Sequence, residues 1–335
     1  MNVVGRGAYD RGMLTQPTSV SDALVGASLA GGWGIRCVEL AYLPVGAGSH
    51  HWRAVDADGV AWFLTVDDVR TKPWLGDDVT VAARRLDAAL GVPLQLREKE
   101  GLDVVAPLPA RDGRLTLMLD DAVVLSVTPW MDGTAAPFST SWRGDGRDDV
   151  LDQLARVHVV GPPSGLHVAP LLPERASLRA MLGALGVAWT GGPYSERART
   201  WLITHADDVV HRLDELEVLE RSWTQRPLVV THGEPHPGNV LVTGRRHRLV
   251  DWDTAALAPP ERDLWWFRDG DLSGWTARTG TLVDPDLLVA YALAWTLADV
   301  TSYVAELRDP HDDTDDARAA LDRLTAQDVS MSVLD

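Results

Sequence analysis

Apolar positions along the chain change their spacing near residue 133. Before it they fall in short β-branched and Leu-rich runs punctuated by Gly, Pro and Asp. Arg36 to Tyr42, His51 to Val55 and Ala61 to Val66 read as strands, with Asp56-Ala57-Asp58-Gly59 turning between the last two. Val104 to Pro107, Thr116 to Met118 and Ala122 to Val127 read as further strands. Two helices interrupt them: a Ser21-capped one ending at Gly31-Gly32, and Asp78 to Leu90. Past Gly133 the period becomes helical. Asp148 to Val159 places Val150, Leu151, Leu154 and Val157 on one face, and Glu196 to Trp223 reads as a single helix with Trp201, Val209, Leu213, Leu216 and Leu219 as its stripe. Gly161 to Pro173 is a Pro-rich connector, Asp286 to Leu307 is the last long helix, and a short helix follows the acidic loop Asp309 to Asp316. Residues 1 to 18 show no period and are expected to be loose or locally packed. Strands first and helices afterwards predict an α+β chain of two lobes, residues 1–130 and 131–335.

One stretch in the helical half breaks the pattern. Leu228-Val229-Val230 leads into Thr231-His232-Gly233-Glu234-Pro235-His236-Pro237-Gly238-Asn239; Val240-Leu241-Val242 leads out, and Leu249-Val250 delivers Asp251-Trp252-Asp253. The runs read as strands, so Glu234, Asn239 and Asp251 sit at strand ends, where side chains converge. A carboxylate, a carboxamide five residues on and a second carboxylate after a hairpin suit phosphoryl transfer. Glu234 would orient or deprotonate the attacking hydroxyl, while Asn239 and Asp251 hold Mg²⁺ against nucleotide phosphates. The plainer reading is a polar hairpin whose Asp and Asn side chains cap turns. A zinc reading of His232 and His236 fails, because Gly233, Pro235 and Pro237 forbid the helix that such spacing needs. His232 reads as a packed structural residue.

The segment resembles the catalytic and metal-binding loops of the aminoglycoside phosphotransferase and choline kinase-like family, a small-molecule branch of the protein-kinase fold. Asp251-Trp252-Asp253 and Glu261-Arg262-Asp263-Leu264 are most similar to its spectinomycin phosphotransferase branch. The resemblance implies a bilobal fold with a small antiparallel N-terminal sheet, ATP and Mg²⁺ as cofactors, and a small hydroxylated acceptor. It implies a hinge at Thr128 to Gly133, with Thr128 and Trp130 at the adenine edge, though an ordinary strand end stopped by Pro129 reads equally well. It also implies that Asp263 braces the catalytic loop and that Asp253 supports the metal or faces the acceptor. The hairpin containing Gly46, Gly48 and Ser49 would cover the phosphates, since Gly lets backbone N–H groups approach an anion closely.

Two positions depart from the family pattern. The strand lysine that pairs with nucleotide phosphates falls at Thr65, and the helix Asp78 to Leu90 contains no Glu to hold such a lysine. Losing both partners is tolerable, whereas losing one strands a charge. Arg70, Lys72 and Arg84 are open as substitutes. At the base position the family has Asp and this chain has Glu234, one methylene longer. These departures leave a second function class open beside the enzyme: a pseudokinase-like protein that binds a nucleotide or metabolite with little catalysis.

Composition adds limits. A net charge of −17 over 335 residues argues against nucleic acid or anionic membrane as partner; an acidic face suits a cationic acceptor, and a solvated surface explains it as simply. The last long helix carries Trp295, Asp299 and Tyr303 on one face with Glu306 two turns on, so Trp295, Asp299 and Glu306 are candidate acceptor contacts or ordinary half-buried positions. Trp265 and Trp266 read as core or as a stacking platform. Cys37 is the single cysteine, so no internal disulfide forms. No charged-then-apolar leader and no run of membrane-span length are visible, and the expected location is the cytoplasm.

Overall fold

The computed structural model describes residues 13–330 apart from 14, 47, 139 and 225; the expectation for residues 1 to 12 lies outside the described part. In chain order the elements are α1 (Asp22–Gly32), β1 (Cys37–Leu43), β2 (His50–Asp56), β3 (Ala61–Asp68), two 3₁₀ turns (Val69–Thr71 and Pro73–Leu75), α2 (Val79–Glu100), β4 (Thr116–Met118) and β5 (Val123–Pro129). There follow α3 (Gly144–Val157), α4 (Arg175–Gly183), α5 (Ser195–Thr204), α6 (Ala206–Trp223), β6 (Val229–Thr231), β7 (Val240–Thr243), β8 (Arg246–Leu249), β9 (Ala256–Ala258), α7 (Glu261–Leu264), α8 (Ser273–Thr279), α9 (Pro285–Arg308) and α10 (Asp315–Thr325).

The first five strands form one antiparallel sheet in the order β1-β2-β3-β5-β4. Alternation sorts its two faces. Trp52, Ala54, Leu64, Val66, Leu125 and Val127 point to one side and bury against Val25, Leu29 and Trp33 of the α1 region. His51, Phe63, Thr65, Asp67, Ser126 and Thr128 hold the opposite parity and face the other side. The segment Val104–Pro107, expected as a strand, is not one: Val104 N–H bonds back to Leu102 O, and the first contact with the sheet is Leu108 N–H to Val127 O at 2.7 Å.

α2 runs ten residues past the expected stop. Pro93 sits inside it and removes one backbone donor, worth roughly 3 kcal/mol. Val92 and Leu96 are buried against Val150, Leu151 and Leu154 of α3, and burying two such side chains is worth about 1.5–3 kcal/mol each. Tertiary packing therefore outweighs the local stop signal. The helix expected over Glu196 to Trp223 is instead two, broken at His205. There the imidazole Nδ1 pairs with Trp201 O at 2.8 Å and the ring stacks on Trp201, while Thr200 and Thr204 hydroxyls donate to carbonyls one turn back.

The helical part closes around α9, which packs on α4, α5, α6 and α10 through Leu287, Leu293, Leu297, Val300, Val304 and Leu307. By length and composition alone α9 is apolar enough to cross a membrane, which corrects the expectation that no run reaches that length; more than half of it is buried in this core. Two small hairpin-like pairs, β6 with β9 and β7 with β8, lie at the junction with the sheet. Trp130 N–H bonds to Ala61 O at one end of the crossing and Thr134 pairs with Val242 at the other, so a few residues carry the chain from sheet to hairpin.

Candidate active site

β6 ends at Thr231, and the next eight residues form a rigid loop. Asp263 of α7, fully buried, organises it: its carboxylate accepts from His232 N–H (2.9 Å), Gly233 N–H (2.6 Å) and His158 Nε2 (2.9 Å). Trp275 Nε1–H donates to the other ring nitrogen of His158, Nδ1, at 3.1 Å, so Nε2 carries the proton that faces Asp263. Burial pushes the Asp263 carboxyl up, but the His158 hydrogen bond and the nearby Arg262 guanidinium outweigh it and hold the carboxyl below its usual range. His232 is locked too: Nε2–H donates to Val250 O (2.9 Å), Nδ1 accepts from Glu234 N–H (3.3 Å), and burial lowers the imidazole to about 4. With both ring nitrogens engaged, His232 has none left for a metal shared with His236, whose Nδ1 accepts from Gly238 N–H.

Gly233 adopts φ +101°, and an added Cβ would meet the Arg262 guanidinium at 2.6 Å. Arg262, which sequence reasoning passed over, donates to Thr231 Oγ1 and Thr254 O and so ties the loop to the turn after Asp253. Asn239 Nδ2–H donates to the Glu234 carbonyl at 3.1 Å, leaving the carboxamide oxygen as its coordinating atom. Asp251 follows β8 at φ +63°, alone among the described non-glycine residues in the left-handed region. Such strain gathers where side-chain placement matters more than backbone comfort.

Asp253 acts on both Glu234 and Asp251, and Asn239 is bonded to the Glu234 backbone, so the four residues lie together. Glu234, 28% exposed, is pushed up to about 8 by burial and by the Asp253 carboxylate, with Arg262 and Lys72 acting the other way. Asp251 is raised well above the carboxylate range by burial, Asp253 and Glu234. From the sheet side Asp67 joins them, so four carboxylates gather in one region. A carboxamide oxygen and a solvent-accessible carboxylate in so negative a field fit a hard divalent cation that keeps further oxygen ligands from water or phosphate. Among the described residues no cage of three His, Cys, Asp or Glu side chains exists that would bind a metal without such help.

Lys72 lies in this region as well, 2% exposed, with Nζ 2.6 Å from Asp253 Oδ2 and 3.0 Å from Asp67 Oδ1. Burial acts to lower its pKa, but Asp253 and Asp67 outweigh it and hold the ammonium above the ordinary range. Thr65, on the cleft face of β3, bonds to His51 Nδ1 at 3.2 Å. Gly46 and Gly48 both take positive φ, and Gly46 closes onto the His51 ring. Ser49 Oγ–H donates to Asp67 Oδ1 at 2.6 Å. Thr128 Oγ1–H bonds to Phe63 O, and Trp130 lies beside Phe63 and under the Arg53 guanidinium.

On the helical side Trp295 stacks on Phe138, which is 41% exposed, and edges against Trp266. Phe138 also meets His236 and Trp266 edge-on, building an aromatic group next to Glu234. Sequence reasoning missed Phe138, because a lone aromatic in a Pro- and Ser-containing loop has no periodic signal. Trp265 is buried core. Asp299 is raised to about 7 by burial, accepts from Gln327, and still acts on Glu234. Glu306 lies two turns further along the same helix, among Asp316, Arg323 and His311.

A twisted antiparallel sheet over a helical body, with its polar cleft between them, is the bilobal α+β protein-kinase-like fold. The chain belongs to the phosphotransferase enzyme family, whose profile matches residues 43–307. It is 31% identical over 251 residues to Protein StrN of Streptomyces griseus, covering 71% of this chain and 75% of that protein. Among solved structures it is similar to spectinomycin phosphotransferase APH(9)-Ia in complex with ADP and spectinomycin, with TM-score 0.68, 18% identity, and 92% and 94% of the two chains covered. It is also similar to amicoumacin kinase hAmiN in complex with AMP-PNP, Ca²⁺ and Ami, with TM-score 0.56, 13% identity, and 92% and 96% covered. At these identities the structural likeness establishes the fold.

Proposed function

We propose that the chain is a cytoplasmic Mg²⁺- and ATP-dependent O-phosphotransferase acting on a small polyhydroxylated, amine-bearing acceptor of the aminoglycoside or aminocyclitol kind. Residues 1–130 would form the nucleotide lobe and 131–335 the catalytic and acceptor lobe. The observation that carries this is the grouping of Asp251 with Glu234 and Asn239, the latter two on a loop that Asp263 fixes through two backbone N–H groups and braces against His158.

Glu234 takes the acceptor hydroxyl's proton as that oxygen bonds to the terminal phosphorus and the bond to the bridging oxygen of the nucleotide breaks. Asn239 and Asp251 would hold Mg²⁺, which supplies charge neutralisation on the nucleotide phosphates. Gly46, Gly48 and Ser49 cover the phosphates, and Thr128 and Trp130 flank the base. Phe138, Trp266 and Trp295 offer apolar faces to a sugar or cyclitol ring, while Asp253 and Asp299 offer carboxylates to its amines. The relatives' names, spectinomycin phosphotransferase and amicoumacin kinase, support an antibiotic-like acceptor. The competing reading, nucleotide binding with little turnover, is favoured by Thr65 at the strand-lysine position.

Calorimetric titration with Mg·ADP of the wild type and of Asp251→Ala tests the proposal, followed by a mass-spectrometric screen of aminocyclitols for gain of one phosphoryl group. Mg²⁺-dependent binding lost in the variant, together with a phosphorylated product, is the expected result. No binding at millimolar nucleotide overturns it, and binding without any product in the screen favours the competing reading.

A further inference from the structure

The phosphate-binding lysine of a kinase-like site comes from the strand equivalent to β3 and is held by a helix carboxylate. Here Thr65 fills the strand position and α2 has no Glu. Two of the three basic candidates point elsewhere. Arg70 is exposed and paired with Asp68, and Arg84 is exposed and bonds back to Thr80 O. Lys72 behaves differently. It leaves the chain between the two 3₁₀ turns after β3, yet its side chain folds back beneath the sheet and is 2% exposed.

Its ammonium ends on the cleft face at Asp67, two residues from Thr65 and on the same side of β3. There it also donates to Ser49 Oγ at 3.1 Å, beside the glycine hairpin, and to Asp253 at 2.6 Å, two residues after Asp251. The turn is anchored from both halves of the molecule: His167 Nε2–H donates to Trp74 O (3.0 Å), Arg85 donates to Leu75 O (2.9 Å), and the Trp74 ring lies 5.2 Å from Nζ. A buried ion pair is a poor stabiliser compared with apolar side chains of similar volume, so stability alone gives no reason to bury this charge here.

We propose that Lys72 is the phosphate-binding lysine of this chain, delivered from the turn after β3 in place of Thr65, with Asp67 replacing the helix carboxylate that holds it. Its ligand is the inner phosphates of a nucleoside di- or triphosphate. The inference rests on the nucleotide-dependent reading above and makes Lys72 a binding residue for it.

Since Lys72 and Lys99 are the two lysines of the chain, a nucleotide acyl-phosphate probe tests this on the unmutated protein. The lysine amine is acylated at the probe's carbonyl and the nucleotide phosphate leaves. Acylation of Lys72 that ADP blocks and adenosine does not is expected; label confined to Lys99 overturns the proposal. A second test compares ADP with adenosine by calorimetry in Lys72→Met/Asp67→Asn, where the paired change avoids a stranded buried carboxylate at Asp67. Loss of ADP affinity by about 10- to 100-fold with adenosine affinity retained is expected for one charge-assisted phosphate contact. An unchanged ADP-to-adenosine ratio assigns Lys72 a purely structural part. A wild type that binds neither compound removes the nucleotide reading itself and this inference with it.

Discussion

Glu234 and Gly233 are adjacent, yet their side chains answer to different demands. Glu234 carries the proton in the proposed reaction, so Glu234→Gln should lower kcat by about 10²- to 10⁴-fold while Mg·ADP affinity stays within a few-fold, read by steady-state kinetics and calorimetry. Gly233 carries no chemistry. Its φ of +101° and its contact with the Arg262 guanidinium leave no room for a Cβ. Arg262 cannot swing away freely, since it is bonded to Thr231 and Thr254. Gly233→Ala should therefore lose about 1–3 kcal/mol of stability and displace Glu234, lowering turnover as well. Thermal melts and kinetics on the same preparation check both effects. The loop beginning at His232-Gly233 was legible from its Gly and Pro neighbours, but the reason for that glycine is a contact with a residue 29 positions on.

At the scale of elements, the site depends on a four-residue helix. α7 presents Asp263 to two loop N–H groups and to His158 of the residue following α3, joining three parts of the chain at one buried carboxylate. Asp263→Ala leaves those donors unpaired in the interior, and a loss of about 3–5 kcal/mol is expected as a lower urea midpoint at unchanged m. α7 also begins at the buried Glu261, which pairs with Arg226 at 2.5 Å and accepts from Asp284 N–H, so the same short helix ties the start of α9 to the approach to β6. The break between α5 and α6 and the extension of α2 escaped the pattern because both were decided by packing. Period and propensity see neither the imidazole of His205 folding onto Trp201 nor the face of α3 that receives Val92 and Leu96.

Across the whole molecule, charge is distributed unevenly: a chain of net charge −17 gathers four of its carboxylates around one cleft. Asp299, at the back of that cleft on α9, illustrates the consequence for stability. Burial raises its pKa from the model-peptide value of 3.8 to about 7. Below pH 4 the carboxyl is protonated whether folded or unfolded and has no linked effect. Between pH 4 and 7 the unfolded chain releases this proton while the folded one keeps it, so native stability falls as pH rises and the full loss is present above pH 7. Asp299→Asn removes the titration. Its melting temperature relative to wild type should thus climb between pH 4 and 7 and level off above, measured by scanning calorimetry in metal-free buffer; a constant difference across that range would contradict a raised pKa.

By itself the sequence determined the fold class, the family and the place of the loop that carries Glu234 and Asn239. Alternation and turn residues marked the strands of the sheet, helical spacing marked the long helices, and Glu234, Asn239 and Asp251 were readable because they sit at fixed short offsets from apolar strands. These are local signals, set by backbone geometry within a few residues. Tertiary structure decided the rest, because the contacts involved join distant positions. Lys72 meets Asp253 across 181 residues, His158 meets Asp263 across 105, and Phe138 finds Trp295 from a loop with no period of its own. Thr65 read as the loss of a charge from the site; the folded chain shows an ammonium returned to the same sheet face from a turn seven residues on. A buried charge is placed by where its counter-charges converge in space, and no spacing along the chain records that.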